Sequence, residues 1–431
     1  MDDMRKRISR LAFKLQSQTH LPLWALAQEN LIYSVAVGVK PAWGPRARLV
    51  LRVMRIADKI RAADIVLLGI GLYQSLFLWW TAKGGTFRTR ESNAVRRIFV
   101  SFGGNSEDHL YRDYLSQSHA PSLRISQVTL EGAREFGAPS LLSIFSILAR
   151  NAIGYSAKLK KATHEVSSNA VDFLVACSLN IGMYAFYRSY WRMAKSRGVE
   201  EVTFVSSDVP AFACVDEGIK TVYLQHGLIA LSILIPKVSR IDVLTSDEET
   251  YLKALLKDVQ IIRTPKCQAK NSSKKNIFMF LVLTIFPERL VASQPLVQWA
   301  MRAGLQVVIR PTPKVTQEEL IDLHSRFPDC VFDDPTIPFH VSLGRWAPKF
   351  VAAWTSTGLA TALDYGCLPV SLCDPFANDA TWNMIYPMQN RALFWPRDEA
   401  LMANAIKSAN VYYARLMTLC SYQDQCLASI Q

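Results

Sequence analysis

The sequence predicts an α/β fold of two Rossmann-type domains that face a cleft, preceded by a helical region that associates with membranes. Apolar runs of strand length alternate with helical patterns after residue 97, which is typical of parallel sheets. A polar, basic stretch without periodicity, residues 263–275, divides this alternation into two parts of domain size. Residues 1–97 hold 17 Lys and Arg against 6 Asp and Glu, in a chain whose formal net charge is +13. The predicted parts are a basic, apolar membrane-associating region (1–96), an N-terminal Rossmann-like domain (97–262), a linker (263–275), a C-terminal Rossmann-like domain (276–397) and C-terminal helices (398–431).

The N-terminal region contains an uncharged apolar segment, residues 65–82, with basic residues on both sides. Its length is sufficient for a marginal transmembrane helix. Two glycines, Gln74 and the terminal Trp79–Trp80 pair also suit a segment that lies in the membrane interface. A buried core helix is the third interpretation. The excess of basic over acidic residues in this region predicts an anionic membrane surface, or another polyanion, as a partner.

The eight cysteines form no CxxC motif and no even framework. This usage predicts reduced thiols in a protein that faces the cytosol. Cys214 and Cys367 lie in apolar stretches and are predicted to be core residues.

In the N-terminal Rossmann-like domain (97–262), polar turns follow buried strands. The predicted strands are 97–102, 201–205, 221–224 and 241–245. Asp208 follows the second of these strands, and His226 follows the third. Ligands of parallel sheets bind at the carboxyl ends of the strands, so His226 is predicted to be the general base that deprotonates an acceptor hydroxyl. Asp208 is the rival base, with Glu107 and Asp108 behind it, and a histidine that caps backbone groups is the alternative role for His226.

In the C-terminal Rossmann-like domain (276–397), the strongest signal of a binding site follows residues 350–354, a buried strand. The turn that opens the next helix has the sequence Thr355, Ser356, Thr357 and Gly358. Free backbone N–H groups and hydroxyls at a helix start bind phosphate, and glycine permits close approach. The alternative is an ordinary helix cap. The other strands predicted in this domain are 277–284, 305–310, 330–332 and 368–372.

A second basic turn follows the strand 305–310. Arg310 and Lys314 flank Thr312 and two prolines that stiffen the loop, and the two cations are predicted to pair with a diphosphate or a phosphomonoester. A solvated basic turn is the alternative.

No metal site or cofactor is predicted, because the chain has no HxxE, DxD or clustered His and Cys spacing. The adjacent pair Asp333–Asp334 is interpreted as a solvated turn, and 216–218 as a helix end with a glycine cap. No nucleic-acid partner is predicted, because no recognised binding module is present.

Four segments in this order carry a resemblance to a known family: YLQHG (223–227), SDEETYL (246–252), VVIRPTP (307–313) and WTSTGLATALDYGCLPV (354–370). Over residues 97–396 the chain resembles bacterial GT-B glycosyltransferases of surface polysaccharide assembly, which include the capsule and lipopolysaccharide enzymes that use CMP-sugars and the teichoic-acid polymerases. The resemblance implies a metal-independent transferase that holds a nucleotide-sugar in its C-terminal domain. Residues 97–262 are then the predicted acceptor domain, and residues 276–397 the predicted nucleotide-sugar donor domain.

The two branches imply different site residues. Thr312–Pro313 stands where the CMP-sugar branch has His-Pro, and Ser356–Thr357 stands where that branch has Ser-Ser. The teichoic-acid branch implies a base at His226 and phosphate contacts at Arg310 and residues 355–357.

The predicted function is transfer of a sugar to a glycan or lipid-linked acceptor at the cytoplasmic face of the bacterial inner membrane, by a peripheral or monotopic protein. Polyol-phosphate transfer from a CDP-glycerol type of donor, nucleotide-sugar epimerisation and a non-catalytic scaffold of an assembly complex are the alternatives.

Overall fold

The computed structural model of the chain describes residues 31, 44–83, 95–101, 111, 114–115, 122–126, 130, 133, 136–163, 170–206, 208–225, 234–243, 246–256, 258–263, 274–282, 287–313, 315–354, 356, 358–372 and 393–394. The chain divides into two compact units. The first comprises residues 1–226, 230–243 and 251–262, and the second comprises residues 227–229, 244–250 and 263–431.

The first unit is built on a six-stranded sheet with the strand order β2-β1-β3-β4-β5-β6. The pairs β1–β2, β1–β3, β3–β4 and β4–β5 are parallel. The helices up to the end of this sheet are α1 (Pro45–Lys59), α2 (Ala63–Lys83), α3 (Leu141–Ala152), α4 (Tyr155–Thr163), α5 (Ala170–Ser178), α6 (Ile181–Ser196), α7 (Val209–Asp216) and α8 (Ser246–Leu255). The strands are β1 (Arg97–Ser101), β2 (Ser122–Ser126), β3 (Glu201–Phe204), β4 (Lys220–Leu224), β5 (Arg240–Val243) and β6 (Gln260–Arg263).

Helix α6 carries the largest side chains of the first core. Tyr184, Tyr190 and Trp191 are fully buried, and Trp191 packs edge-to-face on Phe204 at the end of β3 with 5.8 Å between ring centroids. The Trp191 indole N–H also donates to the carbonyl of Pro210 in α7 (2.9 Å). Buried aromatic rings gain both area burial and edge-to-face attraction, so these contacts fix the turn between β3 and α7.

Helices α1 and α2 pack against this helical layer. Leu51 and Met54 of α1 are buried in the core cluster that also contains Leu67 of α2. Close packing of α2 depends on glycines: a Cβ at Gly71 would lie 2.6 Å from Leu148 Cδ1 of α3, and a Cβ at Gly182 would meet Gln74 Cβ at 2.6 Å. Gly71 of α2 and Gly182 of α6 therefore let α2 pack closely against α3 and α6.

The second unit is built on a six-stranded parallel sheet with the order β12-β11-β10-β7-β8-β9. Its strands are β7 (Lys275–Val282), β8 (Gln306–Pro311), β9 (Val331–Phe332), β10 (Pro348–Ala353), β11 (Leu368–Ser371) and β12 (Leu393–Phe394). Its helices are α9 (Pro287–Arg302), α10 (Gln317–Arg326), α11 (Phe339–Trp346) and α12 (Gly358–Asp364). Two apolar clusters pack on this sheet, one around Phe278, Phe280 and Leu296, the other around Met279, Val351 and Leu359.

The predicted fold class is confirmed: the chain is α/β, with parallel sheets in two units and an apolar helix in the N-terminal region. The predicted domain boundaries stay predictions. The C-terminal helices predicted at 398–431 and the reserve bases Glu107 and Asp108 lie outside the described residues. Strands β2, β6 and β12 and helices α3 and α11 were not predicted.

Two further sequence predictions, on the cysteines and on the helix end at 216–218, are confirmed. Cys214 and Cys367 are buried, as predicted. Helix α7 ends at Asp216, and Gly218 follows with φ +67°, which confirms the glycine-capped helix end.

Candidate functional site

The second sheet has one topological switch point. Strand β7 is central, β8 and β9 lie on one side of it, and β10, β11 and β12 lie on the other. Chain connections therefore reverse direction between β7 and β10. In open parallel sheets this reversal opens a crevice outside the carboxyl ends of the two strands, and ligands bind there.

The turn after β10 carries the predicted phosphate-binding residues. Ser356 Oγ accepts a hydrogen bond from the Gly358 backbone N–H (3.0 Å), and the Ser356 carbonyl accepts from the Leu359 N–H (3.1 Å). Gly358 is buried, and a Cβ there would lie 2.5 Å from Leu281 Cδ1 of β7. Glycine at this position therefore lets the β10 turn pack closely against the Leu281 side chain of β7. Thr355 and Thr357 lie outside the described residues.

A cation that the sequence analysis missed lies at the same edge. Trp354 directly follows β10, and its indole N–H donates to Ser293 Oγ (2.8 Å). The guanidinium of Arg289, in the first turn of α9, lies over the Trp354 ring at 5.6 Å from its centroid. Helix α9 follows β7, so Arg289 and Trp354 meet at the switch point. The available signal was a basic residue two positions after Pro287, in the first turn of a helix, where acidic residues are usual.

Arg310, at the end of β8, lies in a different environment from the one predicted. It is 5 % exposed and forms an ion pair with Asp333. Its guanidinium also donates to Ser342 Oγ (2.7 Å), to the Asp334 carbonyl (3.1 Å) and to the Ile337 carbonyl (2.5 Å). These contacts go to the segment between β9 and α11 and to Ser342 of α11 itself, so the guanidinium holds that connection in place. Its role as a phosphate contact stays a prediction.

The interpretation of the Asp333–Asp334 pair as a solvated turn is wrong for Asp333. This carboxylate is buried, and it accepts from the Trp346 indole N–H (2.7 Å) as well as from Arg310. Asp334 is the exposed member, and it accepts from the Thr336 backbone N–H (2.8 Å). Hydrogen bonds to Thr336 hold the pKa of Asp334 below its usual range.

The neighbouring basic turn is only partly described. The Thr312 carbonyl accepts from the Val315 N–H (3.1 Å), and the Thr312 side chain is half-buried. Lys314 lies outside the described residues.

The first sheet has its own switch point, between β1 and β3. Asp208 follows β3 and caps α7: its backbone is extended (φ −88°, ψ 178°), and its carbonyl accepts from the Ala211 N–H (2.9 Å). His226 lies outside the described residues, one position after Gln225, which is buried and donates its N–H to the Asp242 carbonyl (3.0 Å). Strands β3 and β4 are neighbours, so Asp208 and residue 226 follow adjacent strands at one edge of the sheet.

Within the described part of the chain, no group of three or more His, Cys, Asp or Glu side chains has the geometry to hold a metal ion. The polar groups found at the two switch points are hydroxyl, guanidinium and carboxylate groups.

No protein-family model matches the chain, and a search of curated proteins finds no match. Among solved structures, the chain is similar to the glycosyltransferase SsfS6 of Streptomyces sp. SF2575 (13% identity, TM-score 0.40, covering 75% of this chain and 96% of SsfS6). It is similar to the glycosyltransferase VinC in complex with dTDP (12% identity, TM-score 0.41, 77% and 95%). It is also similar to S. aureus MnaA in complex with UDP (9% identity, TM-score 0.40, 74% and 89%). Likeness at this distance assigns no family, and the fold rests on the sheets described above.

Proposed function

We propose that this protein is a GT-B glycosyltransferase that moves a sugar from a nucleotide-sugar donor to a glycan acceptor. The observation that carries the proposal is the switch point of the second sheet. The hydroxyl turn at Ser356 and Gly358 follows β10 there, and Arg289 comes from the helix after β7, over Trp354. A crevice with hydroxyl and guanidinium groups at strand ends has the chemistry that a nucleoside diphosphate requires.

Arg289 is the group best suited to the donor phosphates. A guanidinium over an aromatic ring is oriented by the ring and keeps its N–H donors at its edge, where phosphate oxygens bind in pairs. The positive charge also stabilises the diphosphate as it leaves. The predicted contacts Thr355, Thr357 and Lys314 would complete this site, together with Ser356.

The proposed chemistry uses the first unit for the acceptor. A base at His226, with Asp208 as the second candidate, takes the proton of an acceptor hydroxyl. The acceptor oxygen then forms a bond to the sugar's anomeric carbon as the bond from that carbon to the donor phosphate breaks. The nucleoside diphosphate leaves with the electron pair, and Arg289 offsets its charge.

The acceptor that we propose is a lipid-linked glycan of bacterial surface polysaccharide synthesis, at the cytoplasmic face of the inner membrane. Two sequence features support this choice: the four family-like segments between residues 223 and 370, and the basic, apolar region at 1–96.

The first experiment is calorimetric titration of the full chain with CMP, CDP, UDP, GDP and ADP. We expect one nucleotide to bind, and Arg289→Met to weaken its Kd at least about tenfold, which is the usual value of hydrogen bonds to a charged group. Arg302→Met, at the exposed end of the same helix, is the matched control and should leave Kd unchanged. Binding by none of the nucleotides, or equal affinities of the two variants, would refute the donor site.

A second experiment tests the base. His226→Ala should abolish turnover while the Kd for the nucleotide stays within a factor of about two, because the base and the donor phosphates belong to different units. Full activity of this variant would remove His226 from the mechanism and direct attention to Asp208→Asn. Transfer of donor phosphorus together with a polyol would replace glycosyl transfer by polyol-phosphate transfer.

A further inference from the structure

Helix α1 has three distinct faces. One is buried and includes Leu51, Met54 and Ala57. Beside it runs an exposed apolar stripe at helical spacing, between 41% and 70% exposed: Leu49, Val53, Ile56 and Ile60. The adjacent stripe is exposed and entirely basic: Arg48, Arg52, Arg55 and Lys59. Apolar and basic stripes side by side on one exposed surface are typical of helices that lie in a membrane interface.

Helix α2 has its large apolar residues on the outside. Its buried positions are mainly small residues: Ala63, Leu67, Gly71, Ser75 and Ala82. Between residues 65 and 80 the exposed positions follow one continuous stripe without a charged side chain, and Lys83 ends the helix on the same side. The residues of the stripe are Ile65, Gly69, Leu72, Tyr73, Leu76, Phe77 and Trp80. The large side chains of this stripe are between 36% and 74% exposed. Soluble proteins place such residues against the core, so this stripe is built to meet an apolar phase.

Helix α2 is the one helix in the described residues that is long and apolar enough to cross a membrane. Its inner face, however, is bonded to the protein along its length. The Gln74 side chain donates to the Leu179 carbonyl (2.9 Å) and accepts from the Gly182 N–H (3.1 Å). At the helix start, the Asp64 carboxylate accepts from the backbone N–H groups of Gly154 (2.8 Å) and Ser156 (2.9 Å). A helix held in this way offers one face to lipid instead of crossing it.

The charges around the two helices favour an anionic partner. Residues 44–83 contain seven basic residues and two acidic ones. Both acidic side chains bind other groups of the protein: Asp58 forms an ion pair with Lys160 (2.6 Å), and Asp64 caps α4. At the far end of α2, the Lys83 ammonium lies 4.8 Å from the Trp79 ring centroid, next to exposed Trp80. Tryptophan and lysine at the end of an apolar helix are typical of the membrane–water interface.

We propose that the exposed faces of α1 and α2 form a monotopic docking surface for an anionic bilayer. The apolar stripes enter the acyl boundary of one leaflet, and the basic stripe of α1 pairs with lipid phosphates. This docking surface adds to the proposed function the place where the protein would meet a lipid-linked acceptor. It rests on the geometry of α1 and α2 alone and can be tested without nucleotide.

The test is co-flotation of the full chain with vesicles of phosphatidylcholine alone and of phosphatidylcholine mixed with phosphatidylglycerol. We expect strong binding to the mixed vesicles and weaker binding to the neutral ones. The double variant Phe77→Glu/Trp80→Glu should lose binding to both. Ile321→Glu, which places the same charge on an exposed isoleucine of α10, is the control and should bind like the wild type.

The basic stripe has its own variant, Arg52→Gln/Arg55→Gln. Each removed charge should weaken binding to the mixed vesicles about fivefold and leave binding to neutral vesicles unchanged. Wild-type protein that does not float with either vesicle would overturn the proposal, as would a Phe77→Glu/Trp80→Glu variant that floats normally. Soluble wild-type dimers that this variant dissociates, without vesicle binding, would assign the face to a second copy of the chain instead.

Discussion

Substitution of Arg310 by methionine tests whether this residue holds the second unit together. Arg310→Met keeps most of the side-chain volume but removes the partner of Asp333, whose side chain is fully buried. It also removes the hydrogen bonds to Ser342 and to the carbonyls of Asp334 and Ile337. Loss of one partner from a buried ion pair costs about 3–5 kcal/mol, because the other charge stays buried and uncompensated.

The matched control is a surface pair of the same chemistry. Arg326 and Asp322 form an i,i+4 ion pair in α10 with their side chains 29% and 47% exposed. Such pairs contribute about 0.3–0.5 kcal/mol. Arg326→Met should therefore be close to neutral, while Arg310→Met should lower Tm by roughly 6–20 °C.

Urea unfolding followed by circular dichroism gives the free energies, and hydrogen exchange of the peptide 331–346 localises the change. The double variant Arg310→Met/Asp333→Leu should recover part of the loss and remain about 1–3 kcal/mol less stable than the wild type, because the Trp346 indole N–H loses its acceptor. Equal losses in Arg310→Met and Arg326→Met would refute the reasoning. The prediction also excludes Arg310 as a simple binding-site control, since its variants change stability before any nucleotide is added.

Two further predictions concern packing and pH. Gly69→Ala on the open face of α2 should stabilise the protein by about 0.5–1 kcal/mol in urea unfolding. Gly71→Ala, whose Cβ would lie 2.6 Å from Leu148 Cδ1, should destabilise it by about 1–3 kcal/mol. Equal effects of the two variants would contradict the packing described. Burial raises the pKa of the Cys177 and Cys214 thiols to about 12. The unfolded chain loses these protons first as pH rises above about 8.5, so the free energy of unfolding should fall by about 1.4 kcal/mol per pH unit and per thiol from about pH 9 to 11. The fall should be less steep in Cys214→Ala. A pH dependence that this variant leaves unchanged would contradict the assignment.

The strands of the second sheet were predictable because buried parallel strands are nearly continuous apolar runs. Strands β7, β8 and β10 begin and end within two residues of their predicted bounds. Strand β2 was missed because its five residues include Arg124, which breaks the apolar pattern. That side chain donates to Ser101 Oγ of β1 (3.1 Å) and lies over the Tyr111 ring, contacts that no local pattern reveals.

The candidate site was predictable only where it is local in sequence. The hydroxyl turn at Ser356 and Gly358 is recognisable from its own residues. Arg289 is part of the same edge only because β7 and β10 are neighbours, although about seventy residues separate their starts. The phosphate role of Arg310 was predicted from its own basic turn. Its ion pair with Asp333 was not predictable, because Asp333 is brought beside it by the β8–β9 pairing and by the bond from the Asp333 N–H to the Ile309 carbonyl (2.9 Å).

The attachment of α2 to α6 has a consequence for how the protein is made. The hydrogen bonds of Gln74 and Ser75 join the outward-facing apolar helix to the helix that carries the aromatic core of the first unit. Whatever binds the outer face of α2 therefore adds its binding free energy to the folding of that unit, as any ligand of the folded state does. If the occupant is the bilayer proposed above, a chain leaving the ribosome would expose this face before lipid covers it, and exposed apolar surface is where nascent proteins aggregate. The yield of folded protein would then depend on how quickly each new chain reaches lipid.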